Sequence, residues 1–244
     1  MKDITLASCS YNTPIVTITM LKSFFKYHDE TNLLICENST NEDTCFLLQK
    51  ENVPFIKNKG GLHAPSVDLL IQNCKTKYML LVDTDVIFLK SHNDIFEKFK
   101  ENKLTLMGEI CGDRGGKALY NRVHPWHCFI DIENIKTNNI KFFDINRLSN
   151  NNFTKIYDVG ASFFEDIKKH QLKIGNVNLH NVYYKHYEGM SWRVNKFGNN
   201  NGNIDTVATD THNNQNLFKY GKMVEENYIR NEIEKFKSVK ICAK

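Results

Sequence analysis

The chain has 244 residues, of which 41% are hydrophobic and 25% are charged, so it can build a packed globular core. Its 32 basic and 28 acidic residues are spread along the whole length and leave a formal net charge of only +4, which argues against a nucleic-acid-binding protein. The length suits one α/β domain with insertions, or two small domains.

The cysteines predict a reducing environment. There are seven of them, with no Cys-x-x-Cys pair and no zinc-type spacing. Cys9, Cys36 and Cys74 fall inside apolar patterns, where a free cysteine behaves as a small hydrophobic residue. The first residues do not resemble a signal peptide, and no apolar run is long enough to span a bilayer. We therefore expect a soluble, cytoplasmic protein with no transmembrane segment.

Strands and helices alternate through the first half of the chain. Thr13 and Pro14 supply a helix N-cap and a first-turn proline, and a later helix opens at residues 64–66. The predicted strands are Ile4–Cys9, Asn32–Glu37, Val53–Lys57 and Tyr78–Val82, with a short helix before the third. Since Tyr78–Val82 is apolar on both faces, we expect it at the centre of the sheet. This alternation predicts an open, mostly parallel α/β sheet flanked by helices.

The pattern is less regular after Leu89. Residues 195–216 are rich in Asn, Gly and Thr and predict a mobile loop, and residues 222–240 have the spacing of an amphipathic helix that docks on the body. The other predicted elements are strands at Leu104–Ile110 and Trp126–Ile132, a helix at Ala161–His170, and two strands within Lys173–Tyr187.

Two aspartates directly follow the predicted central strand. Asp83 and Asp85 are one residue apart, so their side chains project to the same side of an extended segment. Ligands of open α/β sheets bind beyond the carboxyl ends of the strands, and two close carboxylates repel unless a cation lies between them. Mg²⁺ and Mn²⁺ prefer such oxygen ligands together with substrate phosphates. The pair therefore predicts a divalent metal that bridges protein and diphosphate. The alternative is a turn in which the two side chains cap backbone amides.

Several stretches, in this order, resemble nucleotide-sugar-dependent glycosyltransferases of the GT-A fold, particularly the family-2-like inverting enzymes with one compact domain. The stretches are Ser10–Asn12, Glu37–Thr40 (with Glu37 in place of the usual Asp), Asn58–Gly61, Asp83–Asp85, Tyr157–Gly160 and His186–Arg193. They cover roughly Ile4–Arg193, and their joint order is more specific than any one of them. The resemblance implies a Rossmann-like, mostly parallel sheet with a smaller antiparallel region on the acceptor side.

The resemblance also implies roles for individual residues. Asp83, Asp85 and His186 would hold Mn²⁺ or Mg²⁺, and Trp126 and His127 would face the acceptor. The donor nucleotide would contact Ser10, Tyr11, Asn12, Glu37, Asn58, Gly60, Gly61, Asp83, Thr84 and Arg193. Taken singly, these residues are equally ordinary in other settings: Gly60 and Gly61 suit a plain turn, and Trp126 suits the core.

Inverting transfer needs a base that deprotonates the acceptor hydroxyl. The resemblance places this base at Asp158, before the predicted helix. The pair Glu165–Asp166 is a second candidate, but it lies well into that helix. The alternative role for Asp158 is a helix N-cap.

Together these features predict a metal-dependent glycosyltransferase of the hexosyltransferase type. It would transfer a sugar with inversion from a nucleoside-diphosphate sugar, most commonly a UDP-sugar, to a glycan or a lipid-linked or protein-linked glycan. The alternatives are a non-catalytic nucleotide- or sugar-binding module of the same fold, and a sugar nucleotidylyltransferase, whose glycine-rich basic loop is missing after the first strand. We expect one domain over residues 1–221, with a nucleotide half at 1–90 and an acceptor half at 91–194, followed by a C-terminal amphipathic helix at 222–244.

Overall fold

The computed structural model of the protein describes residues 3–39, 42–59, 61–111, 118–119, 122–144, 147, 155–156, 159–187 and 229–244. The strands are β1 (Ile4–Ser10), β2 (Asn32–Glu37), β3 (Phe55–Lys57), β4 (Tyr78–Val82), β5 (Val86–Phe88), β6 (Leu106–Cys111), β7 (Ala118–Leu119), β8 (Arg122–Asp131), β9 (Lys155–Ile156), β10 (Ile174–Asn176) and β11 (Tyr184–His186). The helices are α1 (Pro14–Phe25), α2 (Glu42–Lys50), α3 (His63–Asn73), α4 (Asn93–Glu101), α5 (Ile132–Thr137) and α6 (Ala161–Lys169), and residues 229–236 are also helical.

Seven strands form one mostly parallel sheet in the order β10-β6-β8-β4-β1-β2-β3. Strand β8 runs antiparallel to both of its neighbours, β4 and β6, and the other pairs in this sheet are parallel. The predicted α/β class is confirmed, and β4 lies at the centre as expected. Strands β5 and β11 form a small antiparallel sheet, and β7 pairs with β9.

The sheet is covered on both faces, because successive strand residues point to opposite sides. On β1, Ile4 and Leu6 face one side and pack in the same cluster as Phe24 of α1, together with residues of α2 and α4. Ala7 and Cys9 join the cluster on the other side, formed with α3, α5 and α6. This three-layer arrangement leaves the ends of the strands as the edges where a ligand can approach.

The start of α1 differs from the prediction. Pro14 occupies the first turn, as expected, but Thr13 makes no side-chain cap although it is the N-cap residue. Its hydroxyl lies 3.5 Å from the Thr84 hydroxyl instead, while its carbonyl accepts the N–H of Thr17. Thr13 therefore connects the helix start to the turn after β4.

Helix α4 was not predicted, because most of its nine residues are polar or charged. Its three buried residues, Ile95, Phe96 and Phe99, nevertheless have helical spacing. The chain's C-terminal helix ends at residue 236 rather than continuing to 240, and Ala243 then bridges to Thr31.

The six cysteines whose side chains are described are free thiols, and five of them are buried, including Cys9, Cys36 and Cys74. In the parts of the chain that the structure describes, no helix combines the length and the apolar character needed to cross a lipid bilayer.

Three buried histidines are packed in a row beside the sheet. The backbone N–H of His92 donates to Nε2 of His28 (3.2 Å), and the Nε2 atoms of His92 and His127 are 3.1 Å apart. The His127 ring stacks on Tyr184 with a centroid distance of 4.2 Å. Burial lowers the pKa of His28 to about 4 and the pKa of His127 to about 3, and it also lowers the pKa of His92. All three rings are therefore neutral at pH 7.

We predict that acid destabilises the protein through these rings. Below pH 6.5 the unfolded chain binds protons at His28 and His127, whereas the folded chain does not until about pH 4 or lower. The free energy of unfolding should fall by roughly 2 kcal/mol for each of these two histidines between pH 6.5 and pH 5, and His92 changes it in the same direction. Urea denaturation at several pH values measures this slope. His28→Gln keeps an acceptor for the His92 N–H and removes one titrating ring, so an unchanged slope in this variant would contradict the prediction.

Candidate active site

Asp83 and Asp85 lie in the turn that follows the central strand β4. A hydrogen bond from the Asp83 N–H to the Trp126 carbonyl (3.0 Å) holds the turn to the sheet. Within the turn, the Val86 N–H donates to the Asp83 carbonyl at 3.4 Å. Asp85 is only 6% exposed, and the Asp83 side chain is 31% exposed. The chain thus places one buried and one half-buried carboxyl group at the carboxyl edge of the sheet.

His186 reaches this turn from more than 100 residues further along the chain. Strand β11 pairs antiparallel with β5, which places His186 opposite Val86. The His186 Nε2 atom is then 3.0 Å from Oδ1 of Asp85. One potential ligand atom from each of Asp83, Asp85 and His186 lies within 4.8 Å of the other two. The structure therefore brings together the three residues predicted to hold a metal.

The donor set of this cluster fits a divalent cation. Two carboxylates and one imidazole suit Mn²⁺, and the oxygen atoms also suit Mg²⁺. The Asp85 side chain is only 8% exposed and the Asp83 side chain 31% exposed, so water screens the repulsion between the two carboxylates only in part. A cation would relieve this repulsion, and His186 presents Nε2 to the cluster as its potential ligand atom.

The two residues predicted to face the acceptor are in different surroundings. The Trp126 ring lies 5.0 Å from the His186 ring and is partly buried, so it borders the cluster. His127 is 2% exposed and is covered by His92 and Tyr184. This placement argues against the acceptor contact predicted for His127, because its ring has no accessible surface to offer.

Two further histidines near the cluster were missed in the sequence. His63, the first residue of α3, has Nε2 3.5 Å from Oδ1 of Asp83. His124 stacks on Trp126 with ring centroids 3.6 Å apart. The available signals were the position of His63 two residues after Gly61, and the i, i+2 spacing of His124 and Trp126 on one strand.

The turns after β1 and β2 are tied to each other. Asn12 has a left-handed backbone (φ 52°), and its N–H donates to the Ser39 hydroxyl at 2.6 Å. The Asn38 N–H donates to the Ser10 carbonyl at 2.8 Å. These bonds hold the Ser10–Asn12 segment, including Tyr11, beside the second turn, as expected for two parts of one binding site.

An amide and hydroxyl cluster extends this region to α3. Oδ1 of Asn38 accepts hydrogen bonds from Nδ2 of Asn58 (3.1 Å) and from the Ser66 hydroxyl (2.9 Å). A Cβ atom at Gly61 would lie 2.0 Å from Nδ2 of Asn58 and 2.9 Å from Oδ1 of Asn38. Packing against this cluster therefore accounts for the glycine at position 61.

Glu37 and Ser10 lie beneath the turns. Glu37 is fully buried, with Oε1 accepting the Ser39 N–H at 2.7 Å, and its Oε2 atom has no hydrogen-bond partner among the described residues. Burial raises the pKa of the Glu37 carboxyl group. The buried Ser10 hydroxyl accepts from the Thr17 hydroxyl at 3.1 Å. Both residues are 0% exposed, so this placement argues against the donor contacts predicted for Glu37 and Ser10; the two side chains instead fix the turns from inside the protein.

Three of the predicted site residues, Gly60, Asp158 and Arg193, lie outside the described residues, as does the segment 195–216. The chain just after Asp158 is described. The Val159 carbonyl accepts from Nη1 of Arg122 at 2.9 Å, and Gly160 is the N-cap of α6. The N-cap position of α6 is thus taken by Gly160.

Glu165 and Asp166, the second candidate pair for the base, lie within α6. Nη2 of Arg147 is 2.8 Å from Oδ1 of Asp166, and Nη1 of Arg147 is 3.8 Å from Oε2 of Glu165. The guanidinium of Arg147 thus contacts both carboxylates of this pair.

Solved glycosyltransferase structures resemble this fold over nearly the whole chain. Residues 1–349 of TarS from S. aureus, in complex with UDP-GlcNAc, match with a TM-score of 0.53 and 15% identity over 96% of this chain and 73% of that one. Mannosyltransferase PcManGT from Pyrobaculum calidifontis, in complex with GDP-Man and Mn²⁺, has a TM-score of 0.55 and 9% identity, covering 95% and 75% of the two chains. Galactosyltransferase LgtC, with donor and acceptor sugar analogues, has a TM-score of 0.53 and 12% identity, covering 93% and 99%.

At these identities the likeness establishes the GT-A fold and nothing finer. No protein-family model and no curated protein sequence matches the chain. The mixed sheet with its helices, together with these structures, confirms the predicted fold class.

We predict that Mn²⁺ binds the protein without any sugar donor and raises its melting temperature, because a ligand of the folded state stabilises it. Asp85→Ala and His186→Ala should each abolish most of the shift, since each removes one of the three ligands. Differential scanning fluorimetry with and without Mn²⁺ measures this. Glu133→Gln is the control, because this exposed carboxylate pairs with Lys77 at the start of β4, away from the cluster. If Mn²⁺ raises the melting temperature of Asp85→Ala as much as that of the wild-type protein, the metal binds at another site.

We also predict that Gly61→Ala destabilises the protein by about 1–3 kcal/mol, because the new Cβ would displace the Asn58 amide and leave buried polar groups unpaired. Urea denaturation of Gly61→Ala, Asn58→Ala and the double variant forms a double-mutant cycle. The double variant should lose less than the sum of the two single losses. Additive losses in the free energy of unfolding would show that the new Cβ does not act through Asn58.

Proposed function

We propose that the protein is a metal-dependent glycosyltransferase of the hexosyltransferase type. It transfers a sugar from a nucleoside-diphosphate donor, with UDP as the expected nucleotide, to an acceptor hydroxyl with inversion. The observation that carries this proposal is the cluster of Asp83, Asp85 and His186 at the carboxyl edge of a GT-A sheet. The fold alone supports many activities, whereas this cluster provides a specific chemistry.

The donor would lie between the cluster and the turns after β1 and β2. TarS binds UDP-GlcNAc, and PcManGT binds GDP-Man with Mn²⁺, so both nucleotides occur on this fold. In our proposal Asp83, Asp85 and His186 hold Mn²⁺ or Mg²⁺, which would offset negative charge on the departing diphosphate. His63, which is next to Asp83, would lie beside that diphosphate. Tyr11 and Asn12 would contact the nucleoside.

We assign the general base to Asp158. The main chain just after it is fixed, because the Val159 carbonyl accepts a hydrogen bond from Arg122 at the start of β8 and Gly160 is the N-cap of α6. The competing carboxylates, Glu165 and Asp166, are paired with Arg147. These contacts support Asp158, which would take the proton of the acceptor hydroxyl as that oxygen attacks the anomeric carbon and the diphosphate leaves.

The acceptor would bind on the side of Trp126, whose ring could stack on the apolar face of a sugar. We propose a glycan, either free or linked to lipid or protein, so that the reaction belongs to glycan biosynthesis. Arg193 would contact the donor phosphates. The free cysteines support a reducing, cytoplasmic location.

The test is an assay of nucleoside-diphosphate release with Mn²⁺ and a panel of UDP-, GDP- and other nucleotide sugars. Slow release of nucleoside diphosphate from one of these donors would support the proposed glycosyltransferase activity. Saturable donor binding without release, in the presence of varied glycan acceptors, would instead favour a non-catalytic binding module. Release of pyrophosphate from a nucleoside triphosphate and a sugar phosphate would indicate a nucleotidylyltransferase.

We predict that Asp158→Asn keeps donor binding and lowers kcat by at least about 100-fold, because an amide cannot accept the proton. Calorimetry measures donor affinity, and the release assay measures kcat. Asp166→Asn is the matched control, since this carboxylate lies on α6 beside Arg147, and it should retain most of the activity. If Asp158→Asn remains active, the base lies elsewhere or the reaction proceeds with retention.

A further inference from the structure

We infer that the C-terminal segment, residues 229–244, positions the metal ligand His186, with Tyr187 as the connection. This inference rests on the metal site of the proposed function. It assigns a role in metal affinity to residues that do not contact the metal site themselves.

His186 is the last residue of a short strand. Strand β11 has three residues, and its partner in the small antiparallel sheet, β5, also has three. Neither strand belongs to the seven-stranded sheet. Tyr184, at the other end of β11, is anchored in the core and stacks on His127. The 3.0 Å contact between His186 and Asp85 lies at the opposite end, so it depends on what holds the chain just after the strand.

Tyr187, the next residue, forms hydrogen bonds in different directions, and Nζ of Lys185 donates to its hydroxyl at 3.0 Å. Its backbone N–H donates to the Asp85 carbonyl at 2.9 Å. Its phenol hydroxyl donates to Oε1 of Glu232, on the C-terminal helix, at 2.8 Å. Tyr187 thus joins the main chain of Asp85 to the C-terminal helix. It also directly follows His186, another predicted ligand, in the chain.

An apolar contact accompanies these bonds. Ile229, at the start of the helical residues, packs against Val16 of α1, and Tyr187 and Ile233 border this pair. Val16 and Ile229 are 1% and 2% exposed. Tyr187 is therefore held between α1 and the C-terminal helix.

The far end of the segment is attached to the body independently. Phe236 is 1% exposed, and it packs near Lys26, which follows α1. Ala243 bridges to Thr31, and Lys244 pairs with Glu30 at 2.8 Å. With both ends of the segment attached, the Glu232 carboxylate has a defined position from which to hold Tyr187.

Contacts that orient a metal ligand commonly change metal affinity 10- to 100-fold when they are removed. Breaking the bond between Tyr187 and Glu232 leaves Asp83, Asp85 and His186 unaltered, and it removes no residue of the two large core clusters. The expected effect is a loss of metal affinity that is much larger than the loss of stability.

The experiment measures the Mn²⁺ dissociation constant of the full chain without donor, by electron paramagnetic resonance of free Mn²⁺, together with the melting temperature in EDTA. Tyr187→Phe and Glu232→Ala should weaken Mn²⁺ binding about 10-fold, with little change in the melting temperature. Glu232→Gln keeps an acceptor oxygen and should restore most of the affinity. Glu234→Ala is the matched control on the same helix, because the Glu234 side chain is 65% exposed and pairs with Lys237, three residues further along.

Each outcome decides a separate point. If the wild-type chain binds no Mn²⁺, the metal site of the proposed function is wrong. If the wild-type chain binds Mn²⁺ and Tyr187→Phe binds it equally well, the metal site stands and the positioning role is wrong. A loss of affinity that appears equally in Glu234→Ala, or only alongside a large fall in melting temperature, would also overturn the positioning role.

Discussion

The rest of the site depends on the repulsion between two carboxyl groups, one of which is buried and the other half-buried. Asp83 and Asp85 share one short turn, and Asp85 is almost completely covered. Such a pair is costly unless positive charge or hydrogen-bond donors balance it. The fold supplies His186 on one side and His63 on the other, and it leaves Asp83 half-exposed toward the edge of the sheet. A site with excess negative charge at an open edge is suited to a cation that also binds an anionic ligand.

The first half of the chain could be predicted closely because its signals are local. Strands β2 and β4 have the predicted bounds, since each is a short apolar run between polar segments. The acidic pair could be placed at the sheet edge by the period of two along an extended chain. The turns around Asn12 and Asn38 were singled out by their resemblance to a family, and the structure joins them by hydrogen bonds.

The acceptor half was harder to predict, because its contacts join residues that are far apart in sequence. His127 had the same local signal as Trp126, and only the three-dimensional packing shows that His92 and Tyr184 cover it. Strand β5 is too short for a periodicity, and α4 carries too many charged residues for its apolar face to stand out. The link from Glu232 to Tyr187 spans 45 residues and leaves no pattern in the sequence.

The reversed direction of β8 has a consequence for how such a protein can diversify. Because β8 runs opposite to β4 and β6, its beginning lies at the edge that carries the acidic turn. The strands β1, β2 and β4 pair with each other independently of this beginning. Substitutions between Arg122 and Trp126 can therefore reshape the surface beside the acidic turn while the register of β1, β2 and β4 is retained. One architecture can in this way evolve different surfaces around the same acidic turn.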